Sequence, residues 1–487
     1  MTIWVDIEDL LAHFYAASRP SGIQRLSYEI YRELARTSVP GEPIRFVRHI
    51  PKGTDLEEVY WPDVEARVEL AFSQEAELAT AGPPVALDLQ SPPQKAVSQS
   101  RLRAWARRLP MDLRAPLAGL VNAQRAAFAA QGDAVRAARD LLRGLRRWAG
   151  FGGSGAFGSM VSVSSAASND DRAGAAVSPM PGDVFLALGA SWQGGYYPNL
   201  VESLKQRFGV RFAFMIYDLI PILWPEFVMA RIREPYQAWI TPMLRAADVV
   251  FTISETTTAD VLDFATQAGI SVPVTKIVPI GVTFPDRSPV PPPLSRPYVL
   301  MVSTIEIRKN HALMFKVWRR LMAELPAEQV PTLVFAGRIG WQTVDLLAQI
   351  ENTNQLDGLL RVIEAPSDRE LAALYQNCLF TLFPSFYEGW GLPVTESLSF
   401  GKTVAAAHRA SIPEAGGIFC DYFDPDNLHD AYRVVVRLIT DPAHRSTMEH
   451  RIKQEFRPPS WADSAAAITS LLAQAHAKIA TNLLVAD

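Results

Sequence analysis

The second half of the chain shows a regular alternation of short apolar runs and longer segments with helical spacing. From Tyr298 onward, the apolar runs read YVLMVST, TLVFAGR, LRVIEA, LFTLFPS and TVAAA, and each is followed by a pattern such as HALMFKVWRRLMAEL. Strands that are apolar on both faces belong in a parallel sheet covered by helices. The alternation therefore predicts a doubly wound α/β domain over residues 291–456.

The first half repeats this alternation less regularly. Its apolar runs include TIWVD, VFLALGA, RFAFMIYD and DVVFTIS, and helical patterns such as SGIQRLSYEIYREL follow them. They predict a second domain of the same class over residues 1–290. The proline-rich segment from Pro285 to Pro297 predicts a stiff extended connector between the two domains.

One segment departs from this pattern. Residues 101–150 contain eleven Arg and three Asp and neither Lys nor Glu, a balance of 11 − 3 = +8, with apolar residues at helical spacing. Residues 150–176 are rich in Gly, Ser and Ala, which is typical of a flexible linker. We therefore expect a basic helical insert and linker at about 99–178. Two interpretations of the insert stay open: it lies on anionic lipid, or it packs as a helical hairpin on the first domain.

Composition narrows the class of protein. The chain has 487 residues, of which 48% are hydrophobic and 20% charged, and this favours a soluble protein of two or three domains. A net charge of −4 argues against nucleic acid as a partner. Cys378 and Cys420 are too few for a disulfide framework or a zinc cluster. Since the first residues carry no basic charge before their apolar run, we expect no secretory signal and a cytoplasmic location, with peripheral membrane contact if the insert binds lipid.

Charged residues follow the first strand of the second domain. Arg308 and Lys309 come directly after YVLMVST and its loop, and Asn310 is expected to cap the next helix. Because parallel sheets bind ligands at the carboxyl ends of their strands, and helix N-termini favour anions, these two cations predict a diphosphate site. A solvated pair of loop charges is the alternative.

The strand LFTLFPS is followed by FYEGWGLPVTES. Gly389 and Gly391 allow the backbone to approach a ligand closely. Glu388 is then expected in the loop and Glu396 in the second helical turn, so that one carboxylate reaches a sugar and the other a ribose. The alternative for each Glu is an exposed charge that stabilises the helix N-terminus. A third strand end, at Pro366-Ser367-Asp368, is interpreted as a helix cap.

These residues resemble the E-x7-E motif of retaining glycosyltransferase family 4. That family has the GT-B fold, an α/β architecture of two facing Rossmann-like doubly wound domains with an interdomain cleft. The segments that carry the resemblance are Glu388 to Glu396, Arg308-Lys309-Asn310-His311, Gly337-Arg338, Ser411-Ile412-Pro413-Glu414 with Gly416, and FDPDN.

The resemblance implies roles for these residues. Glu388 would face the transferred sugar, Glu396 the ribose, and Arg308 and Lys309 the leaving diphosphate, with Asp218 as the catalytic candidate of the first domain. The donor-binding residues would be Gly22, Ser303, Arg308, Lys309, Gly337, Arg338, Glu388, Gly389, Trp390, Gly391, Leu392 and Glu396. The family implies no metal and no cofactor, and Asp424-Pro425-Asp426 is interpreted as a helix cap rather than a metal ligand.

The first half adds weaker similarities. Ser21 to Arg25 resembles the family's glycine-containing loop, which faces the donor phosphates and the acceptor. Ile216 to Pro221 resembles its H-D-L-I-P segment, with Tyr217 where histidine is common. Ser254-Glu255 resembles a turn near the cleft. Residues 457–487 resemble the family's last helix, which crosses back to the first domain.

The sequence thus predicts a retaining hexosyltransferase of bacterial surface polysaccharide synthesis. It would move a hexose, with mannose as the candidate, from a nucleotide diphosphate sugar to a glycan or lipid-linked glycan. A non-catalytic, membrane-recruited scaffold with a vestigial GT-B fold is the main alternative. A nicotinamide dehydrogenase is disfavoured because its G-x-G-x-x-G pattern occurs only in the linker, at Gly150, Gly152 and Gly155. A phosphorylase is disfavoured because no lysine suits pyridoxal phosphate.

Overall fold

The protein is described here from a computed structural model. It describes residues 1–16, 22–37, 43–49, 54–69, 176–192, 196–271, 274–283 and 291–485. The predicted basic insert at about 99–178 lies outside these ranges except for its last three residues. At this end of the insert, Ala176–Val177 pairs as an edge strand.

The first sheet has eight strands. They are β1 (Ile3–Asp6), β2 (Ile44–His49), β3 (Leu56–Val59), β4 (Ala176–Val177), β5 (Val184–Ala187), β6 (Arg211–Ile216), β7 (Val249–Thr252) and β8 (Val274–Ile277). Their order is β4-β3-β2-β1-β5-β6-β7-β8, and all pairs are parallel except those of β3 with β2 and β4. The chain starts in the middle and winds first to one side and then to the other. The direction reverses between β1 and β5.

Helices cover both faces of this sheet. They are α1 (Glu8–Ala16), α2 (Gly22–Arg36), α3 (61–69), α4 (Tyr197–Phe208), α5 (Ile220–Leu223), α6 (Ala230–Ala246) and α7 (Glu255–Gln267). Alternate residues of each strand enter different cores. In β1, Ile3 and Val5 pack on one face while Trp4 packs on the other. This double burial explains why the strands read as continuous apolar runs.

The second sheet has six strands. They are β9 (Tyr298–Val302), β10 (Thr332–Ala336), β11 (Leu360–Ile363), β12 (Thr381–Phe383), β13 (Val404–Ala407) and β14 (Cys420–Phe423). All pairs are parallel, in the order β11-β10-β9-β12-β13-β14. The winding direction reverses between β9 and β12. In doubly wound folds such a reversal opens a crevice at the carboxyl ends of the two central strands, where ligands bind.

The helices of the second half are α8 (His311–Glu324), α9 (Val344–Asn352), α10 (Asp368–Asn377), α11 (Leu392–Ser399), α12 (Ile412–Gly416), α13 (Leu428–Thr440), α14 (Pro442–Glu455) and α15 (Trp461–Val485). A short left-handed turn occupies Asn354–Asp357. Helix α15 returns to the first sheet, where Trp461 and Ile468 join the core beside α2. The Ser464 hydroxyl fixes this return by donating to the carbonyl of Pro279.

The predicted fold class is confirmed: the chain is an α/β protein with two doubly wound Rossmann-like domains. The strands of the two sheets lie on either side of residues 278–297, and the domain limits at 290 and 456 stay predictions. Within the described ranges, no helix has both the length and the apolarity needed to cross a membrane.

Candidate active site

The reversal point of the second sheet brings Arg308, Lys309 and Glu388 into contact. Arg308 and Lys309 lie in a 3-10 turn after β9, and Glu388 lies in the loop after β12. The Arg308 guanidinium is 2.6 Å from Glu388 Oε2, and Lys309 Nζ donates to Glu388 Oε1 at 2.6 Å. The two cations therefore sit side by side with one carboxylate across them, and the solvated-pair interpretation is wrong.

Further contacts fix Arg308. Its second terminal nitrogen pairs with the buried Glu306 at 2.8 Å, and its first donates to the carbonyl of Tyr387 at 2.7 Å. The Phe386 N–H in turn donates to the carbonyl of Arg308 at 2.9 Å. Because the bonds run in both directions, the loops after β9 and β12 behave as one unit. Glu306 and Tyr387 were not predicted as site residues, although Tyr387 adjoins Glu388 and Glu306 lies two residues before Arg308.

Electrostatics keep Glu388 and Arg308 charged. Burial alone would raise the pKa of Glu388, but the charges of Arg308 and Lys309 outweigh burial and hold it at about 2. Burial also opposes the charge on Arg308, yet Glu388 and Glu306 raise its pKa above the usual value. The pKa of Lys309 is lowered by burial and then by the Arg308 charge. Glu388 is thus an anion across the physiological pH range.

Asn310 does not cap helix α8 with its side chain, and that prediction is wrong. The residue occupies the N-cap position with a left-handed φ of 59°, but its side chain makes no cap bond. Its amide instead donates to the carbonyls of Pro384 at 3.2 Å and Pro425 at 3.0 Å. It therefore ties three strand-end loops together, and the N-terminus of α8 has no side-chain cap from this residue.

Two glycines permit close backbone contacts. A Cβ at Gly389 would overlap the carbonyl oxygen of Tyr217 in the first domain. A Cβ at Gly337 would overlap the carbonyl oxygen of Ser303, where β9 and β10 end together. The Ser303 hydroxyl also lies 3.3 Å from a ring nitrogen of the buried His311. Glycine is needed at both positions because a backbone carbonyl oxygen occupies the space that a Cβ would take.

The remaining loop residues are held by packing. Trp390 and Leu392 are partly buried against the core of the first domain. Gly391, at φ 155°, precedes α11, whose first turn contains Pro393 as expected. The Ser411 hydroxyl lies 2.8 Å from the carbonyls of both Glu388 and Trp390. Ser411 thereby fixes the loop that presents Glu388, a role that its motif did not reveal.

Glu396 lies apart from the Glu388 cluster, and none of the described contacts joins them. One oxygen of Glu396 accepts from the Tyr375 hydroxyl at 2.9 Å. Burial raises the pKa of Glu396, while the charge of Arg25 opposes this. Arg25, from α2 of the first domain, also lies 3.5 Å from Asp368 at the start of α10. Arg25 was quoted only as part of a loop, and sequence could not show that it reaches across to Glu396.

Helix capping at the third strand end is confirmed. Ser367 accepts from the Glu370 N–H, and the Glu370 carboxylate accepts from the Ser367 N–H, which is a complete capping box. The interpretation of Asp424-Pro425-Asp426 as the cap of α13 is wrong, because Asn427 performs it. The two aspartates instead pair with Arg409. In the described part of the chain, no group of three or more His, Cys, Asp or Glu could hold a metal ion.

The residues predicted as functional in the first domain have contacts of their own. The Asp218 carboxylate accepts from the Ile220 N–H at 3.0 Å; burial raises its pKa and the nearby Arg308 charge lowers it. The Tyr217 hydroxyl donates to the carbonyl of Leu188, and burial keeps its pKa well above the usual value. Tyr217 is therefore not placed to accept a proton. Gly22 is exposed at the start of α2, and no contact of its own joins it to the cluster.

Helix α7 connects the two domains. Ser254 caps it, and the Glu414 carboxylate from the second domain accepts from the N–H groups of Glu255 at 2.6 Å and Thr256 at 2.9 Å. The Tyr387 hydroxyl donates to Asp260 on the same helix at 2.9 Å. The Ser254-Glu255 turn thus lies at the cleft, as its resemblance implied.

Comparisons with known proteins agree with this geometry. Residues 284–455 match the family model described as glycosyl transferases group 1. The stretch contains the whole second sheet and the Arg308, Lys309 and Glu388 cluster. The expected resemblance to a glycosyltransferase is thereby confirmed for the second domain, while family 4 and the E-x7-E roles stay predictions.

The chain is also similar to curated mannosyltransferases. It is 28% identical over 266 residues to the serotype-specific mannosyltransferase WbdA of Escherichia coli, covering 51% of this chain and 32% of that protein. It is 28% identical over 164 residues to the O-antigen chain mannosyltransferase B of Escherichia coli, covering 34% of this chain and 42% of that protein. The chain thus spans less than half of these relatives.

Solved structures include similar chains. One is an α,α-trehalose-phosphate synthase (UDP-forming) from Burkholderia vietnamiensis, with 14% identity, a TM-score of 0.48, and coverage of 60% of this chain and 75% of that chain.

Proposed function

We propose that this protein is a retaining glycosyltransferase that moves a hexose, with mannose as the candidate, from a nucleotide diphosphate sugar to a glycan or lipid-linked glycan. The carrying observation is the contact of Arg308 and Lys309 with Glu388 at the reversal point of the second sheet. The match of residues 284–455 to glycosyl transferases group 1 and the similarity to mannosyltransferases support the proposal. Surface polysaccharide synthesis, in the cytoplasm or at the inner membrane face, is its setting.

The two cations suit a diphosphate. Arg308 and Lys309 are both largely buried, with 15% and 13% of their side chains exposed, so their charges are poorly screened by water. They precede the N-terminus of α8, and the positive end of a helix dipole also favours anions. Arg338, exposed at the end of the adjacent strand β10, adds a third positive charge to the same edge of the sheet. Together they would bind the diphosphate and stabilise the charge that grows on it as it leaves.

Glu388 suits the transferred sugar. Its low pKa keeps it ionised, so it accepts hydrogen bonds from sugar hydroxyls. Glu396 lies at a separate position beside Tyr375, where it would accept from the ribose hydroxyls. A donor bound in this way would have its diphosphate on Arg308 and Lys309.

The transfer itself would proceed by front-face attack. The acceptor hydroxyl attacks the anomeric carbon from the side of the leaving diphosphate, whose oxygen takes the hydroxyl proton. The protein then contributes orientation and charge stabilisation, and it needs no Asp-His pair. Asp218 would orient groups at the first-domain side of this centre, because its carboxylate lies within electrostatic reach of Arg308.

A donor screen tests the proposal. The full chain is heated with UDP-, GDP-, ADP- and dTDP-sugars, and we expect one class to raise the unfolding temperature, since a ligand at 100 times its Kd stabilises by about 2.7 kcal/mol. The double variant Arg308→Ala, Lys309→Ala should lose this response. Arg320→Ala, which removes an exposed pair with Glu324, should keep it. No response of the wild-type chain to any donor would contradict the proposal and favour a non-catalytic scaffold.

A further inference from the structure

The segment that presents Glu388 has no regular structure of its own. It connects β12 to α11 over residues 384–391, none of which lies in a helix or a strand, and we call it the donor loop. Backbone hydrogen bonds of a helix or strand therefore do not fix its shape. The position of Glu388 depends instead on the groups that contact the donor loop from outside.

Ser411 provides one of these contacts from the start of α12. It is fully buried, and its hydroxyl lies 2.8 Å from the carbonyl oxygens of both Glu388 and Trp390. Ser411 occupies the N-cap position of α12, yet its side chain makes no cap bond there. Because the hydroxyl contacts the carbonyl of Glu388 itself, a displacement of α12 is passed directly to that residue.

Glu414 joins α12 to the first domain. It lies one turn after Ser411, and its N–H donates to the Ser411 carbonyl at 3.0 Å. Glu414 Oε2 accepts from the N–H of Glu255 at 2.6 Å, and Oε1 accepts from the N–H of Thr256 at 2.9 Å and from its hydroxyl at 2.7 Å. Both carboxylate oxygens are thus bonded to the first turn of α7. Bonds of this kind are strong because the acceptor is ionised and lies at the positive end of a helix.

Helix α7 also contacts the donor loop directly. Thr257 Oγ1 lies 3.2 Å from the carbonyl of Tyr217 and 3.5 Å from that of Gly389. Further along the helix, Asp260 accepts from the Tyr387 hydroxyl at 2.9 Å. These contacts lie on either side of the carboxylate that we assign to the transferred sugar. One helix of the first domain therefore supports the donor loop before and after this residue, and supports α12 as well.

The two cations are held by other contacts. Arg308 pairs with Glu306 and donates to the carbonyl of Tyr387. In the described part of the chain, no hydrogen bond or ion pair joins Ser411 or Glu414 to Arg308 or Lys309. A change at Glu414 would therefore disturb the orientation of Glu388 more than the attraction of a diphosphate.

We propose that Glu414 is a positioning residue for the transfer: by docking α12 on α7, it sets the orientation in which Glu388 meets the sugar. This inference rests on the proposed function. It makes a pocket of the second domain depend on a helix of the first, because the donor loop is fully supported only while α12 and α7 are in contact. Displacements of about 1 Å at a reacting centre are enough to cost on the order of a hundredfold in rate.

Hydrogen exchange without donor tests the structural part. Mass spectrometry on the full chain compares the wild type with Glu414→Ala and Glu414→Gln. We expect Glu414→Ala to speed exchange in the donor loop and the first turn of α7 about tenfold, the scale of losing a hydrogen bond to a charged group. Glu414→Gln keeps one acceptor oxygen and should fall between. Unchanged exchange in the donor loop, or an equal rise throughout the chain, overturns the inference.

Steady-state kinetics test the catalytic part. Glu414→Ala should lower kcat roughly tenfold while the donor KM stays within about twofold, and Glu414→Gln should restore part of the loss. A residue that only stabilised the fold would lower the unfolding temperature and leave kcat per folded molecule unchanged. That outcome, or a loss confined to the donor KM, contradicts the proposed role.

A double-mutant cycle tests whether the effect passes through α7. Thr256→Val removes the hydroxyl that donates to Glu414 and should lower kcat a few-fold, but it should add nothing in the Glu414→Ala background. Additive losses would show that Glu414 acts by another route.

A control separates this inference from the proposed function. Glu202→Gln, which removes an exposed carboxylate of α4, should match the wild type in exchange and in kcat. If the wild type responds to no donor while exchange in the donor loop still depends on Glu414, only the proposed function fails. If donors bind and react normally in Glu414→Ala, only the inference fails.

Discussion

The two sheets of this protein reverse their winding at equivalent points, and the chemistry at those points is opposite. Between β9 and β12, two buried cations enclose one carboxylate whose pKa is about 2. Between β1 and β5, three carboxylates gather around a histidine, and burial raises the pKa of Glu8 to about 7. Topology therefore fixes where a ligand can bind, and the few residues after each strand fix its charge.

Under the proposed function, the diphosphate of a nucleotide sugar would bind at the reversal point of the second sheet, because cations attract its charge and a cluster of carboxylates repels it. The following experiments are ordered from the largest expected effect to the smallest.

The largest effect is expected from the cationic side. Glu388→Ala, or Arg308→Ala with Lys309→Ala, should lower turnover at least about a hundredfold, because each removes directed charge stabilisation at the reacting centre. Steady-state transfer kinetics measure it. Arg320→Ala is the matched control and should retain activity. Near-normal turnover in either site variant would remove the assignment of the donor pocket.

Gly389→Ala should lower turnover by about the same factor, although it changes no charge. The new Cβ would overlap the backbone carbonyl of Tyr217, and displacements of about 1 Å at a reacting centre can cost on the order of a hundredfold in turnover. Gly269→Ala is the control, since its φ of 63° is strained for alanine but nothing lies within 4 Å. If the two variants lost equal activity, the close approach at Gly389 would be irrelevant to function.

Gly189→Ala, just after β5 and beside Asp9, should have a smaller effect. Here the new Cβ would overlap the carboxylate of Asp9, which is the end of a side chain and can rotate away. The rotation would break its bond to the Ala190 N–H, so we expect a lower unfolding temperature, on the scale of one lost hydrogen bond, with donor binding unchanged. Thermal unfolding with and without donor checks this. A loss of the donor-induced stabilisation instead would show that the two reversal points are coupled.

The smallest effects are expected on the pH dependence of folding stability. Glu8 and Glu388 should change stability with pH in opposite directions. Glu8 has a folded pKa of about 7 against 4.5 when free, so its contribution to stability is present below pH 4.5 and lost as the pH rises to 7. Glu388, at about 2, contributes above pH 4.5 and loses its contribution as the pH falls toward 2.

Glu8→Gln should therefore flatten the unfolding temperature between pH 4.5 and 7, by about 1–2 °C. Glu388→Gln should remove the decline below pH 4.5. Calorimetry over the two windows measures both, with Glu202→Gln as the control that changes neither. A pH profile of Glu8→Gln that follows the wild type would mean that Glu8 titrates normally.

Much of the second domain could be predicted because its signals are local. Apolar runs at regular spacing gave five of its strands, and Gly389, Gly391 and Pro393 marked the turn from β12 into α11. The capping box at Ser367 and Glu370 spans four residues, so its geometry follows from the local sequence pattern. Local interactions of this kind depend little on the tertiary structure around them.

Predictions failed where a residue's partner is remote in sequence. Asn is a residue type that often caps helices. The side-chain amide of Asn310 instead donates to the carbonyls of Pro384 and Pro425, which are 74 and 115 residues away. Arg25 reaches Asp368 across 343 residues, and Glu414 binds the start of α7 across 159. No local pattern distinguishes these uses from ordinary surface charges.

The sequence alone therefore determined the class of fold and the residue types at each strand end, since both depend on spacing and local propensity. The tertiary structure decided which of those strand ends meet. It placed Arg308 and Lys309 against Glu388, and gathered Asp6, Glu8 and His49 at the opposite reversal point, because parallel strands bring distant loops to one edge of a sheet. Charges acquire shifted pKa values only when burial and such neighbours are combined, and both are properties of the folded chain.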